Sequence, residues 1–248
     1  RSHLNRMALA PLLTPHYRVL ALDLAGFGHT RSGSRSTSVR SNQQLLNRFV
    51  EHVTGMPVIL VGNSMGGLIS ILQADAHPDT VAALALINPA LSPNPFRRRP
   101  DPRVLGTFAA LAVPAAGRAM LARRRSRTTA RESAEDLLRL CCVDPSRVPH
   151  GVREEHVALA DKRRSYSDTD DEMIVAARSL LWVLTERRRY SAMQRAIRVP
   201  VLLLHGDGDR LVPIEAAEDA AAANHDWRFE VPCRWMPSTV ASARSERG

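Results

Sequence analysis

Cysteine is scarce in this 248-residue chain: an adjacent pair, Cys141 and Cys142, and Cys233. That set gives neither a disulfide framework nor a metal-ligand spacing, so a reducing, cytoplasmic setting without metal or cofactor is the expectation. Aromatic residues make up only 4% of the chain, which leaves few platforms on which bases could stack. Lysine is almost missing, Lys162 being the single one, so the net charge of +9 comes from arginine. Arginine excess without a recognition motif reads as solvated surface, and nucleic acid is not an expected partner. Long apolar runs are also lacking. Met7–Leu13 is short and interrupted by Pro11, too little for a signal core or a membrane span. The chain opens at Arg1 rather than at a methionine, and further residues upstream are expected.

What is present is organised around Val58–Gly67, Val-Ile-Leu-Val-Gly-Asn-Ser-Met-Gly-Gly. Val58–Val61 is a short, mostly β-branched run between Pro57 and Gly62, the pattern of a buried parallel strand. Gly62-Asn63-Ser64-Met65-Gly66 then fits G-x-S-x-G, in which small residues flanking a serine permit a strained strand-to-helix turn. The following helix, Met65–Ala76, would aim its free N–H groups at whatever lies over Ser64.

Around this stretch, a helix is expected over Asn5–Leu13, a strand over Tyr17–Leu24, a glycine-punctuated turn over Ala25–Thr30 and a polar loop over Arg31–Ser41. Helical spacing of Leu45, Leu46, Phe49, Val50 and Val53 predicts a helix over Gln43–Val53. Val81–Ile87, Val199–His205 and Trp227–Val231 read as further strands, with a helix over Ile214–Ala223. Alternation of strands and helices predicts an α/β fold: a mostly parallel sheet with helices on both faces. Residues 1–88 and 199–232 form its core. Residues 89–198, rich in proline at the start and carrying four arginine runs, form a helical lid inserted over the ligand-binding edge, and 233–248 an irregular tail. Within the lid, Asp170 and Asp171 start one helix and Arg187–Arg189 suit its end. The arginine runs are expected to face solvent rather than a membrane surface.

Taken together, Asp23-Leu-Ala-Gly-Phe-Gly-His-Thr30, Gly62–Gly67 and Leu204-His-Gly-Asp-Gly-Asp-Arg-Leu-Val-Pro213 resemble, in the right order, three motifs of the α/β-hydrolase superfamily. The resemblance implies Ser64 as nucleophile, the Met65 N–H as an oxyanion donor, and Asp209, at the fourth place of G-x-x-D, as the acid that orients a histidine. It implies a hydrolase acting on an ester, thioester or similar carbonyl bond through an acyl-enzyme, with a small, hydrophobic acyl substrate. Two parts of the family pattern are not found in the chain. One is a strand ending in His-Gly ahead of the first helix; without it the sheet should show a gap, or the Tyr17–Leu24 strand should move across to pair with Val58–Val61. The other is a histidine after the last strand, since Val231 is followed by Pro-Cys-Arg-Trp-Met-Pro. His29 is the substitute base at the correct edge; His205 is expected to be structural, His225 to face the wrong edge, and His150 and His156 to belong to the lid. The alternative reading is a non-catalytic hydrolase-fold protein, a degraded or frameshifted copy.

Overall fold

The computed structural model of the chain describes residues 2–94, 97, 102–141, 144–209 and 211–232. Four apolar runs form one parallel sheet in sequential order, β1 (Val58–Asn63), β2 (Val81–Ile87), β3 (Val201–Leu204) and β4 (Trp227–Glu230). The helices are α1 (Ala10–Leu13), α2 (Val39–Phe49), α3 (Met65–Ala76), α4 (Pro102–Ala112), α5 (Pro114–Arg127), α6 (Ala130–Cys141), α7 (His150–Arg164), α8 (Thr169–Thr185), α9 (Arg187–Ala196) and α10 (Ile214–Ala223). Leu60, Leu84, Leu86, Val201 and Leu203 from the sheet share one buried cluster with Leu68, Ile69, Ile71 and Leu72 of α3. Burial at that density is what holds a short-stranded parallel sheet together. Asn63 lies opposite Ile87, and Ile87 opposite Leu204, so the carboxyl ends of three strands line up at the edge where open parallel sheets bind ligands.

Tyr17–Leu24 is not a strand: it belongs to no ladder, and β1 is an edge of the sheet among the described residues. Of the two expected outcomes, the structure shows the gap. Among the described residues the segment has no strand to pair with, and it is anchored instead at its C-terminal end by side chains. Ala25 N–H donates to the Asn42 side chain at 2.9 Å, and Asp23 accepts from His3 N–H at 2.6 Å and His29 N–H at 2.8 Å. The open flank leaves Ile59 half exposed and Tyr17 and Leu20 in solvent. Arg6 reaches across it to donate to the Val61 carbonyl at 3.0 Å, and burial pulls the Arg6 pKa down.

Other boundaries move for local reasons. Instead of one helix over Asn5–Leu13 there is a 3-10 turn at His3–Arg6 and the single turn of α1, because Pro11 has no N–H and tolerates only a first-turn position. Helix α2 starts earlier than expected: Ser38 caps it, accepting from Ser41 N–H at 3.2 Å, and it closes in a π-helical turn, Val50–Thr54, at left-handed Gly55. Arg187–Arg189 do not end α8. The chain breaks at Glu186 and these arginines form the first turn of α9, where the helix dipole opposes them.

Helices α4–α9 form the insertion between β2 and β3. Most of its arginines face solvent, as expected, and several of them are paired. Arg118 pairs with Asp171, Arg124 with Asp136, Arg125 with Asp170 and Arg131 with Glu154. Arg163 departs furthest from expectation. It is nearly buried and meets the Glu172 carboxylate at 3.0 Å, and it also donates to the carbonyls of Gly26 at 2.8 Å and Gly28 at 3.1 Å. Glu172, 5% exposed, further accepts from Ser32 N–H at 2.9 Å, and its own carbonyl accepts from Thr37. The pair ties α7 and α8 to the glycine turn. The expected tail at 233–248, with Cys233, lies outside the described residues, as does Cys142.

Candidate active site

Ser64 sits between β1 and α3 with φ 52° and ψ −121°, a conformation that L residues adopt only under constraint. The constraints are visible. Ser64 N–H donates to the carbonyls of Ile87 and Asn88, both at 3.1 Å, and the Ser64 carbonyl accepts from Gly67 and Ala90 N–H, both at 3.0 Å. The flanking glycines are required by packing. A Cβ on Gly62 would lie 2.6 Å from the Gly66 carbonyl, and one on Gly67 would lie 2.7 Å from the Pro89 Cβ. Strand end and helix start are thereby pressed together, and the serine is turned out of both.

The Ser64 hydroxyl does not cap α3. Nor do the N–H groups of Met65 and Gly66, in the first turn of the helix, find an acceptor among the described residues. A half-buried hydroxyl and free helix-start donors therefore share one corner of the molecule, the arrangement in which developing negative charge is favoured.

Asn88, which the sequence reading passed over, joins this corner to the acid loop. Its backbone is left-handed, φ 43°, a conformation asparagine tolerates better than most residues. Its side-chain amide donates to Asp209 Oδ2 at 2.5 Å and accepts from Gly206 N–H at 3.3 Å. The other Asp209 oxygen accepts from Leu211 N–H at 2.7 Å and Val212 N–H at 3.0 Å. Ser64 and Asp209 thus hang on one residue: the Asn88 backbone holds the first and its side chain the second. His205 is fully buried and bonded to the Val212 carbonyl at 2.9 Å, a brace for the same loop.

The structure does not bring His29 to this pair. It is exposed, and its ring leans on that of His3 with centroids 5.5 Å apart and makes no hydrogen bond to Ser64 or Asp209. His3 Nδ1 is bound to Asp23 at 2.9 Å. Burial alone would raise the Asp23 pKa; N–H donation from His29 and His3, with the His3 ring, outweighs it and holds the carboxyl below its usual range. His150 and His225 are exposed, and His156 lies half-buried on α7 with its pKa pushed down chiefly by burial. Among the described residues no group of His, Cys, Asp and Glu could hold a metal ion.

A family model described as the alpha/beta hydrolase fold matches residues 2–234. A 2-hydroxy-6-oxo-6-(2'-aminophenyl)hexa-2,4-dienoic acid hydrolase from Metapseudomonas resinovorans is 23% identical over 92% of the chain and 70% of its own length. Human monoacylglycerol lipase ABHD6 is 24% identical over 91% of the chain, which spans 63% of that protein. Among solved structures, a thermophilic esterase from Thermogutta terrifontis superposes with a TM-score of 0.65 at 24% identity, covering 93% of the chain and 76% of its own. A serine hydrolase from Cycloclasticus zankles superposes with a TM-score of 0.70 at 16% identity, covering 93% and 77%.

Proposed function

The chain belongs to the alpha/beta hydrolase fold family, and from that premise we propose that it descends from a serine hydrolase and keeps the nucleophile and acid of one, Ser64 and Asp209. The observation that carries this reading is the Ser64 backbone, held at φ 52° against its own preference. An ordinary connecting serine has no use for such strain. In the proposed reaction Ser64 Oγ attacks the carbonyl carbon of an ester, thioester or related acyl compound, and the Met65 N–H receives the oxyanion. The leaving group departs as the acyl-enzyme forms, and water then releases the acid. The proton leaving Oγ needs an acceptor, and Asp209 would orient the imidazole that takes it.

Residues 89–198, or the part of them that forms α4–α9, act in this reading as the lid over the strand ends. An acyl substrate with apolar character accords with the relatives named as a lipase and an esterase. A second reading, a hydrolase fold without turnover, is favoured by one specific observation: no described imidazole is bonded to Ser64 or Asp209, and three donors already occupy the Asp209 carboxylate. A fluorophosphonate probe separates the two. Labelling of the folded chain that Ser64→Ala abolishes supports the activated serine. Folded chain that stays unlabelled at high probe concentration establishes the second reading. If labelling occurs, His29→Gln tests the substitute base, and unchanged labelling removes His29 from the mechanism.

A further inference from the structure

We propose that the exposed stripe formed by Val175, Arg178 and Trp182 on α8 is a docking surface for an anionic lipid bilayer, a property independent of whether Ser64 turns over. Spacings of three and four residues place these side chains on one arc of the helix. The opposite arc is already used: Ile174 and Ala177 pack with Leu111 of α4, and Leu180 and Val183 belong to the main core. Trp182 is 67% exposed and Val175 42%, and on neighbouring α4 Leu105 is 58% exposed. An indole left in water on a helix that has satisfied its core face is unusual. Its amphipathic ring is suited to the boundary between headgroups and acyl chains.

The charge around the stripe selects the occupant. Asp171, the acid at the stripe's start, is taken by Arg118 at 2.7 Å, so it does not neutralise the stripe. Arg178, one turn before Trp182 on α8, and Arg187 and Arg188, exposed in the first turn of α9, have no ion-pair partner among the described residues. An apolar strip bordered by uncompensated guanidinium groups complements a surface of lipid phosphates, each of which a guanidinium can engage with two hydrogen bonds. A second copy of the chain is disfavoured as occupant, because two-fold pairing would set the same arginines against one another. Among the described residues no single helix is long and apolar enough to cross a membrane, so the contact lies on the surface of the bilayer.

The test uses the full chain and vesicles of equimolar phosphatidylglycerol and phosphatidylcholine against vesicles of phosphatidylcholine alone, by co-sedimentation and tryptophan emission. The expected result is binding to the anionic vesicles with a blue shift of emission, weakened by added salt. Trp182→Ala should abolish the shift, and Arg178→Gln should weaken binding roughly fivefold, the value of one basic residue at an anionic surface. Val175→Gln provides a second apolar variant, and circular dichroism confirms that each variant is folded. Arg48→Gln, removing an exposed charge from α2, should leave binding unchanged. The proposal is overturned if Arg48→Gln and Arg178→Gln weaken binding equally, if Trp182→Ala retains the shift, or if the chain ignores vesicles and Trp182→Ala instead disperses a dimer in light scattering.

Discussion

Replacing Arg163 by methionine would remove three hydrogen bonds at once, to the carbonyls of Gly26 and Gly28 and to Glu172. It would also leave the Glu172 carboxylate, 5% exposed, with one remaining partner, the Ser32 N–H. Breaking a buried pair on one side costs about 3–5 kcal/mol, most of it the penalty of an uncompensated charge rather than the attraction lost. Removing both charges avoids that penalty. Arg163→Met with Glu172→Gln is therefore expected to cost less than Arg163→Met alone, with a coupling of about 2 kcal/mol or more in the double-mutant cycle. Urea titration measures this as a fall in midpoint at constant slope. Arg131 and Glu154 supply the control. Their two contacts, at 3.0 and 2.9 Å, are as short as the single one between Arg163 and Glu172, but the side chains are 53% and 39% exposed, against 15% and 5%. Water and salt screen such a pair, so Arg131→Met should leave the midpoint where it is. If Arg163→Met shifts it no more than Arg131→Met does, or if the two Arg163 and Glu172 changes simply add, burial is not what gives this ion pair its weight.

The remaining expectations concern the corner around Ser64 and the acid response. Gly67→Ala should destabilise by about 1–3 kcal/mol in thermal or urea unfolding, because the new Cβ would meet Pro89 at 2.7 Å. Helix propensity alone would favour alanine by about 1 kcal/mol, so the sign decides which effect dominates. Asn88→Asp should cost about 2 kcal/mol at neutral pH by setting a carboxylate against Asp209, with partial recovery in acid as one of the two takes a proton. His156 has a folded pKa below its ordinary value of 6.5, so the unfolded chain binds its proton more readily. Its contribution is complete above pH ~6.5 and is lost as pH falls towards the folded pKa. His156→Gln should flatten that segment of the melting-temperature profile. Asp23 acts in the same direction further down, through the window below its usual carboxylate pKa.

Much of this molecule was legible because local signals agreed with the fold. The runs at Val58, Val81, Val201 and Trp227 became strands in register, and G-x-S-x-G became a strained turn, since glycine spacing at a strand end leaves the backbone few alternatives. Tyr17–Leu24 misled because its composition fits a strand, but a ladder needs a neighbour, and composition cannot report whether one exists. Asn88 was invisible for a related reason: one asparagine after an apolar run signals only a turn, and its link to Asp209 spans 121 positions. Arg163 looked like part of a basic run. Nothing in the run distinguishes the member that turns inward to two glycine carbonyls from those that face water.

The flank of β1, bare among the described residues, has a consequence for handling this chain. At the other side of the sheet, β4 carries Arg228 and Glu230 exposed and bonded to each other at 3.0 Å, and such charges discourage a foreign strand from annealing there. Val58-Ile-Leu-Val61 has no charge of its own, and its described outward bond is the one from Arg6 to the Val61 carbonyl. Four apolar residues with an open hydrogen-bonding rim are a template for cross-β stacking between molecules. Concentrated solutions should therefore cloud by a seeded, thioflavin-positive route that begins at this flank, and Ile59→Lys should slow it without touching the serine corner.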